Sequence, residues 1–194
     1  IMPQYERILI TGAAGRLGTL LRTGLAPLAD KIRLAARQSF GDLAANEEEA
    51  IFDLADMEAT LAATQGCDAI VHFGGASLES PWETILDANI RGSYHIYEGA
   101  RKHGAKRVVY ASSVHAIGYH ELESQIGVDA PVRPDSLYGV SKNFVESLSR
   151  LYWDKFGIES VNLRIGSSFE EPLDRRMLAT WLSFDDFEIG RASC

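Results

Sequence analysis

The sequence predicts an α/β domain built on a doubly wound parallel sheet. Short apolar runs alternate with longer stretches of helical period along nearly the whole chain. A glycine-rich turn, Gly12 to Gly18, joins the first run to the first helical stretch. No internal repeat, low-complexity tract or linker rich in Pro, Gly or Ser divides the chain. Strands that alternate with helices require right-handed crossovers, which place helices on both faces of a parallel sheet.

Taken in order, Arg7 to Thr11 (RILIT) is a buried-strand run that breaks into Gly12-Ala13-Ala14-Gly15-Arg16-Leu17-Gly18. Leu17, Leu20, Leu21 and Leu25 then recur at helical spacing. Ile32 to Ala36 reads as a second strand and Ala50 to Phe52 as a third. Asp56 is placed to cap a helix ending near Thr64. Ala69 to Phe73 is a fourth strand, stopped by Gly74-Gly75. From Trp82 to His103 apolar residues share one helical face, and Gly104 supplies a C-terminal stop. Arg107 to Ala111 is a fifth strand, Leu137 to Phe156 a long helix, and Ser160 to Ile165 a sixth strand.

Composition narrows the function. With 194 residues, 46% of them hydrophobic, the chain suits one globular domain with a sizeable core. A net charge of −8, from 27 acidic against 19 basic residues, removes the electrostatic case for a nucleic-acid partner. The two cysteines, Cys67 and Cys194, make neither a disulfide framework nor a zinc cluster. The five histidines show no metal-ligand spacing, so no metal is expected. No apolar run approaches the roughly 20 residues of a membrane helix. Ile1 to Arg7 lacks the build of a signal peptide. These features lead to the expectation of a cytoplasmic protein with no membrane partner.

The glycine turn is the first candidate site. Gly12, Gly15 and Gly18 suit a tight turn, close backbone approach to a pyrophosphate, and close packing of helix on strand. The N–H groups and positive dipole end of the following helix would receive the phosphates, with Arg16 and Leu17 inside the same loop. The spacing is G-x-x-G-x-x-G, and a plain strand–helix turn is the competing reading. At the end of the second strand an acid suits NAD, whereas an arginine accommodates a 2′-phosphate. This chain has Ala36-Arg37-Gln38-Ser39 there, which favours NADP, with Arg37 as phosphate partner and Ser39 as helper. A solvated surface arginine is the alternative for Arg37. Asp53 and Leu54 would flank the adenine, and Phe73, Gly74 and Gly75 would line the cofactor.

The second candidate site opens the long helix. Tyr138 and Lys142 are four residues apart and share a face. A lysine beside a phenol stabilises the phenolate and lowers its pKa toward working pH, as a general base requires. Ser112-Ser113 ends the fifth strand at the sheet's carboxyl edge, where ligands bind in open α/β folds. A serine there can donate to the oxygen that Tyr138 deprotonates.

On these residues the chain resembles a known family. TGAAGRLG at 11–18, DL at 53–54, YASS at 110–113 and YGVSK at 138–142 look like the extended short-chain dehydrogenase/reductase and sugar-nucleotide epimerase superfamily. Within it, HFGGAS (72–77), ASSVHAIGY (111–119), RPDSLYGVSK (133–142), NLRIGSSF (162–169) and RRMLATWLSFDDF (175–187) are similar to uronate dehydrogenases. The resemblance implies a Rossmann-type fold and oxidation at C1 of a hexuronic acid, such as glucuronate or galacturonate, to an aldarolactone with NAD(P). It implies Tyr138 as base, Lys142 as the group that lowers its pKa and holds the nicotinamide ribose, and Ser113 as the group orienting the C1 hydroxyl. Asn89 falls in the implied cofactor site; Ser77, Val114, His115, Ser167 and Arg176 fall in the implied sugar site. Val114 stands where the family pattern has asparagine, and Ala36-Arg37 where it has an acid suited to NAD. The family's substrate region extends past a position such as Cys194. The expectation is therefore a single dinucleotide-binding domain over 1–194, with 167–194 the start of a truncated substrate region. A sugar reductase or epimerase of the same superfamily, or a non-catalytic NAD(P)-binding fragment or sensor, is the alternative. A homo-oligomer is compatible with the sequence but not dictated by it.

Overall fold

The computed structural model describes residues 4–121, 125–175 and 177–186. Six strands form one all-parallel sheet: β1 (Tyr5–Thr11), β2 (Ala29–Ala36), β3 (Glu47–Ile51), β4 (Ala69–His72), β5 (Arg107–Ser113) and β6 (Glu159–Ile165). Their order is β3-β2-β1-β4-β5-β6. Chain direction across the sheet therefore reverses between β1 and β4, and open α/β sheets bind ligands outside that reversal.

The expected elements form where the pattern puts them, with β3 at Glu47–Ile51 rather than Ala50–Phe52, β5 running on to Ser113, and two refinements near β4 and α4. α1 (Arg16–Leu25) follows the glycine turn and buries Gly18, Leu21 and Leu25. α2 (Met57–Thr64) starts at Asp56, whose side chain accepts from the Ala59 N–H at 3.0 Å, as an N-cap should. β4 ends at His72, one residue short of the expected Phe73. The stretch from Trp82 is helical throughout but not uniform: one α-turn, α3 (Trp82–Thr84), leads into a π-helical segment (Ile85–Arg91) and then α4 (Gly92–His103). Gly104 ends α4 at φ 83°, a left-handed conformation that costs glycine little. α5 (Leu137–Phe156) is the longest helix.

The core lies in two layers. Against α4 and α5 pack Leu9, Ile70, Val108, Tyr97, Tyr110, Val145 and Tyr152. Against α1 pack Ile8, Ile10, Ile32, Leu34, Leu21 and Leu25. Strands buried on both faces need apolar residues in succession rather than alternation, which is why RILIT and AIVH look alike. On the α1 side the surface over Val71, Val109, Leu163 and Ile165 borders an apolar cavity of about 520 Å³ that reaches Thr180, Trp181 and Leu182. No described helix is long and apolar enough to cross a membrane.

Candidate active site

Gly12 sits at φ 69°, and a Cβ there would come within 2.7 Å of the Phe73 carbonyl. The loop after β1 thus lies directly on the loop after β4. A Cβ on Gly18 would come within 2.2 Å of the Gly12 oxygen, so α1 is seated tightly on its own entry turn. Gly15 is the N-cap of α1; its N–H reaches the Gly12 oxygen at 2.9 Å, and no side chain caps the helix. The first turn of α1 holds no acidic residue. Such a terminus offers backbone donors and a positive dipole end to a diphosphate. Leu17 packs into the core beneath. Arg16 reaches across to the segment after β6, 4.5 Å above the Phe169 ring and 3.4 Å from the Ser168 oxygen.

At the end of β2, Arg37 is exposed and makes no ion pair among the described residues. Ser39 is engaged elsewhere: its hydroxyl donates to Glu49 at 2.9 Å, and the Phe40 N–H donates to the same oxygen at 3.2 Å. Glu49, on β3, thereby brings a carboxylate to the loop in which a phosphate helper was expected. Asp53 is exposed and accepts from the Ala55 N–H at 2.9 Å. Leu54 fills the gap beside Gly74 and Gly92, where a Cβ on either glycine would lie 2.8 and 2.7 Å from it.

Behind Gly74 runs a buried polar chain. The Gly74 N–H donates to the Thr11 hydroxyl (3.0 Å), which lies 2.7 Å from His72 Nδ1; His72 Nε2 lies 2.9 Å from the Ser93 hydroxyl. Burial, with the nearby Lys142 charge adding, pushes the His72 pKa down to about 3, so the ring is neutral. With Thr11 donating to Nδ1, Nε2–H points to Ser93.

Asn89, expected in the cofactor site, makes its hydrogen bonds to the loop after β4 and to α5. Its Oδ1 accepts from the Ala76 N–H at 2.7 Å, and its Nδ2 donates to the Ala76 oxygen at 3.1 Å and the Ser141 hydroxyl at 3.0 Å. A Cβ on Gly75 would lie 2.7 Å from that Oδ1. Asn89 therefore ties the loop after β4 to α5, and its polar atoms are used within the protein.

At the start of α5, Ser136 caps the Gly139 N–H at 3.0 Å, and Glu79 accepts from the N–H groups of Leu137 (3.2 Å) and Tyr138 (2.8 Å). Tyr138 and Lys142 follow on one face, 8% and 6% exposed. Lys142 Nζ donates to the Ala111 oxygen at 2.7 Å and stands 5.0 Å from the Tyr138 ring centre. Burial raises the Tyr138 pKa, opposed by its hydrogen bond with Ser113. Burial also lowers Lys142 to about 7. Burial thus outweighs the Ser113 hydrogen bond at Tyr138, and Lys142 directs its Nζ to the Ala111 oxygen rather than to the phenol oxygen.

The two serines of β5 part company. Ser112 donates to Glu146 at 2.5 Å, and Glu146 is gripped by Arg164 at 3.0 and 2.7 Å. Ser113 faces Tyr138 and accepts from the His115 N–H at 3.2 Å. His115 packs edge-on against the Tyr138 ring, 5.5 Å between centres, and its Nδ1 meets both carboxylate oxygens of Asp135 at 2.8 and 3.0 Å. Glu146, Asp135 and Glu79 escape motif reasoning. Only Glu146 carries a sequence signal, continuing the four-residue step of Tyr138 and Lys142.

Of the other expected sugar-site residues, Ser77 is exposed on the loop after β4. Val114 borders the apolar cavity with Phe73, Gly166 and Trp181. Ser167 pairs through its backbone with Thr180 and Leu182, its hydroxyl 3.4 Å from that of Thr180. Arg176 lies outside the described residues. Among those described, no three His, Cys, Asp or Glu side chains are placed to hold a metal.

Comparison with known proteins places this geometry in context. The model of the NAD dependent epimerase/dehydratase family matches residues 8–182. Uronate dehydrogenases of Pseudomonas syringae pv. tomato and Agrobacterium fabrum are 50% and 53% identical over 94% of this chain, which spans 66% and 69% of their lengths. A tyrosine-to-alanine mutant of the Agrobacterium tumefaciens uronate dehydrogenase, crystallised with NAD, superposes with a TM-score of 0.93 at 50% identity, covering 97% of this chain and 71% of that one.

Proposed function

The chain belongs to the NAD dependent epimerase/dehydratase family, and from that membership we propose that it is a uronate dehydrogenase oxidising C1 of a hexuronic acid to an aldarolactone. The observation that carries this reading is the convergence of Ser113, Tyr138 and Lys142 at the carboxyl edge of the sheet, across β4 from the glycine turn. The half-identical uronate dehydrogenases support the substrate class.

The cradle suits a dinucleotide. Gly12 and Gly18 let the loop after β4 and α1 close on the glycine turn, Gly74 and Gly75 admit Leu54 and Asn89 against the loop after β4, and the uncapped start of α1 supplies the phosphate donors. A nicotinamide bound there would supply the hydride acceptor. Tyr138 removes the proton of the C1 hydroxyl, Ser113 donates to that oxygen and fixes its direction, and Lys142 holds the ribose. A uronate carboxylate away from C1 calls for a guanidinium partner, the role assigned to Arg176.

The NAD complex of the A. tumefaciens relative supports NAD. Exposed Arg37 supports NADP, while Glu49, bound to Ser39, places a repelling carboxylate on the same loop. We assign the chain to NAD(P), with Arg37 setting whatever NADP preference it has. A panel of hexuronic acids with each cofactor, followed at the absorbance of reduced nicotinamide, tests both parts. Turnover of glucuronate or galacturonate is expected; cofactor binding without turnover of any uronate overturns the reading. Arg37→Ala is expected to weaken NADP binding and leave NAD binding within about twofold, since a charge-assisted contact to phosphate contributes about 1.5–3 kcal/mol. In Tyr138→Phe, loss of the base is expected to lower kcat by about 100-fold or more, with cofactor titrating as before.

A further inference from the structure

His115 lies beside Tyr138, yet nothing so far says which of its ring nitrogens faces a substrate or what that nitrogen can do. The surroundings of its Nδ1 decide this. Both carboxylate oxygens of Asp135 lie within hydrogen-bond distance, 2.8 and 3.0 Å. A carboxylate can only accept, so Nδ1 carries the proton. Asp135 is itself fixed on several sides. Ser136 donates its hydroxyl to Oδ1 at 2.9 Å, and the Asp135 N–H reaches the His115 oxygen at 3.3 Å. Gly118 leaves the space that Oδ2 takes; a Cβ there would come within 2.0 Å of it. The other edge of the ring is open. His115 is 45% exposed at its side chain, and Nε2 makes no hydrogen bond among the described residues. Gly139, one residue past Tyr138, packs so closely on the His115 carbonyl that a Cβ would lie 2.3 Å away. The imidazole is therefore held in fixed register with the start of α5.

We propose that Asp135 is a positioning residue that fixes the His115 ring with a proton on Nδ1, presenting Nε2 as a hydrogen-bond acceptor for a sugar hydroxyl next to the one Tyr138 deprotonates. An acceptor welcomes a hydroxyl and repels a carboxylate. His115 thus reads a ring hydroxyl of the substrate, and the acid group is received elsewhere. Asp135 acts through His115, whose Nδ1 it holds. The device resembles the orientation of ligand or catalytic imidazoles by a carboxylate on the far nitrogen. The hydroxyl assignment rests on the uronate reading, whereas the protonation pattern does not.

Two measurements on the full chain test this. Nitrogen-15 NMR of the ring reads which nitrogen of His115 is protonated, and steady-state kinetics with glucuronate read its use. The parent is expected to hold the proton on Nδ1. Asp135→Ala should move it largely to Nε2, raise KM for the uronate by tenfold or more, lower kcat by less than threefold, and leave cofactor binding unchanged. Asp135→Asn keeps an acceptor oxygen, so it should restore the Nδ1 pattern and most of the KM. The proposal is overturned if the parent carries the proton on Nε2, if Asp135→Ala leaves the pattern unchanged, or if it leaves KM within twofold of the parent. Should the parent turn over no uronate, the functional reading fails on its own, and the NMR outcomes still decide the role of Asp135.

Discussion

A lysine at 6% exposure carries its amine into a place where charge is expensive, and Lys142 shows the consequence as a pKa lowered to about 7 from an ordinary 10.5. In the unfolded chain the same amine keeps its proton up to about that ordinary value. Between pH 7 and 10.5 the unfolded state therefore binds more protons, and stability contributed by this site rises with pH across the window. Below pH 7 the folded protein bears the full cost of burying the ammonium. Lys142→Met, which removes the titration, should gain most relative to the parent below pH 7, with the gain shrinking toward pH 10.5. Urea midpoints of both proteins across that range check the sign, and a difference that grows with pH would refute it. Tyr138 and Lys142 were legible from their spacing and from the position of the helix they open. Their pKa directions were not, because spacing carries no information on how deeply two groups are desolvated.

The elements of the sheet were legible almost strand by strand, since buried parallel strands and amphipathic helices write different periods into sequence. The π-helical segment Ile85–Arg91 was not, because its apolar residues fit an ordinary helix equally well. Its consequence is local. Asn89 lies within it and reaches both the loop after β4 and Ser141 of α5. π-segments often sit at functional sites, and here one ties the loop after β4 to α5. Asn89→Ala leaves buried polar groups without partners, each costing about 1–3 kcal/mol. A loss of about 2–3 kcal/mol in urea denaturation, accompanied by weaker cofactor binding, is the expected outcome. Ser112 shows a parallel limit. Sequence placed both serines at the strand end, but only the alternation of strand faces sends Ser113 to Tyr138 and Ser112 to Glu146 and Arg164.

Among the described residues, α1 and the segment carrying Leu182 cover one side of the sheet, and the surface over Val71, Val109, Leu163 and Ile165 borders the apolar cavity of about 520 Å³. Contiguous apolar surface of this kind attracts other apolar matter. A solvatochromic dye should fluoresce on binding the chain, and Leu163→Glu should suppress that signal while leaving cofactor affinity within about twofold. Equal fluorescence from both proteins would argue against an accessible face. The strand order has a consequence in time as well. β1 lies between β2 and β4, and Thr11 waits for a partner, His72, that is 61 residues further along. At about 5–20 residues per second of synthesis, one edge of β1 stands without its neighbour for about 3–12 seconds. During that interval Leu9 and Ile10, among the most buried residues of the finished protein, belong to a strand that only β2 has reached. The centre of the sheet is thus made early and closed late, so the nascent chain is most open to the ribosome exit and its chaperones where the folded protein is most sealed.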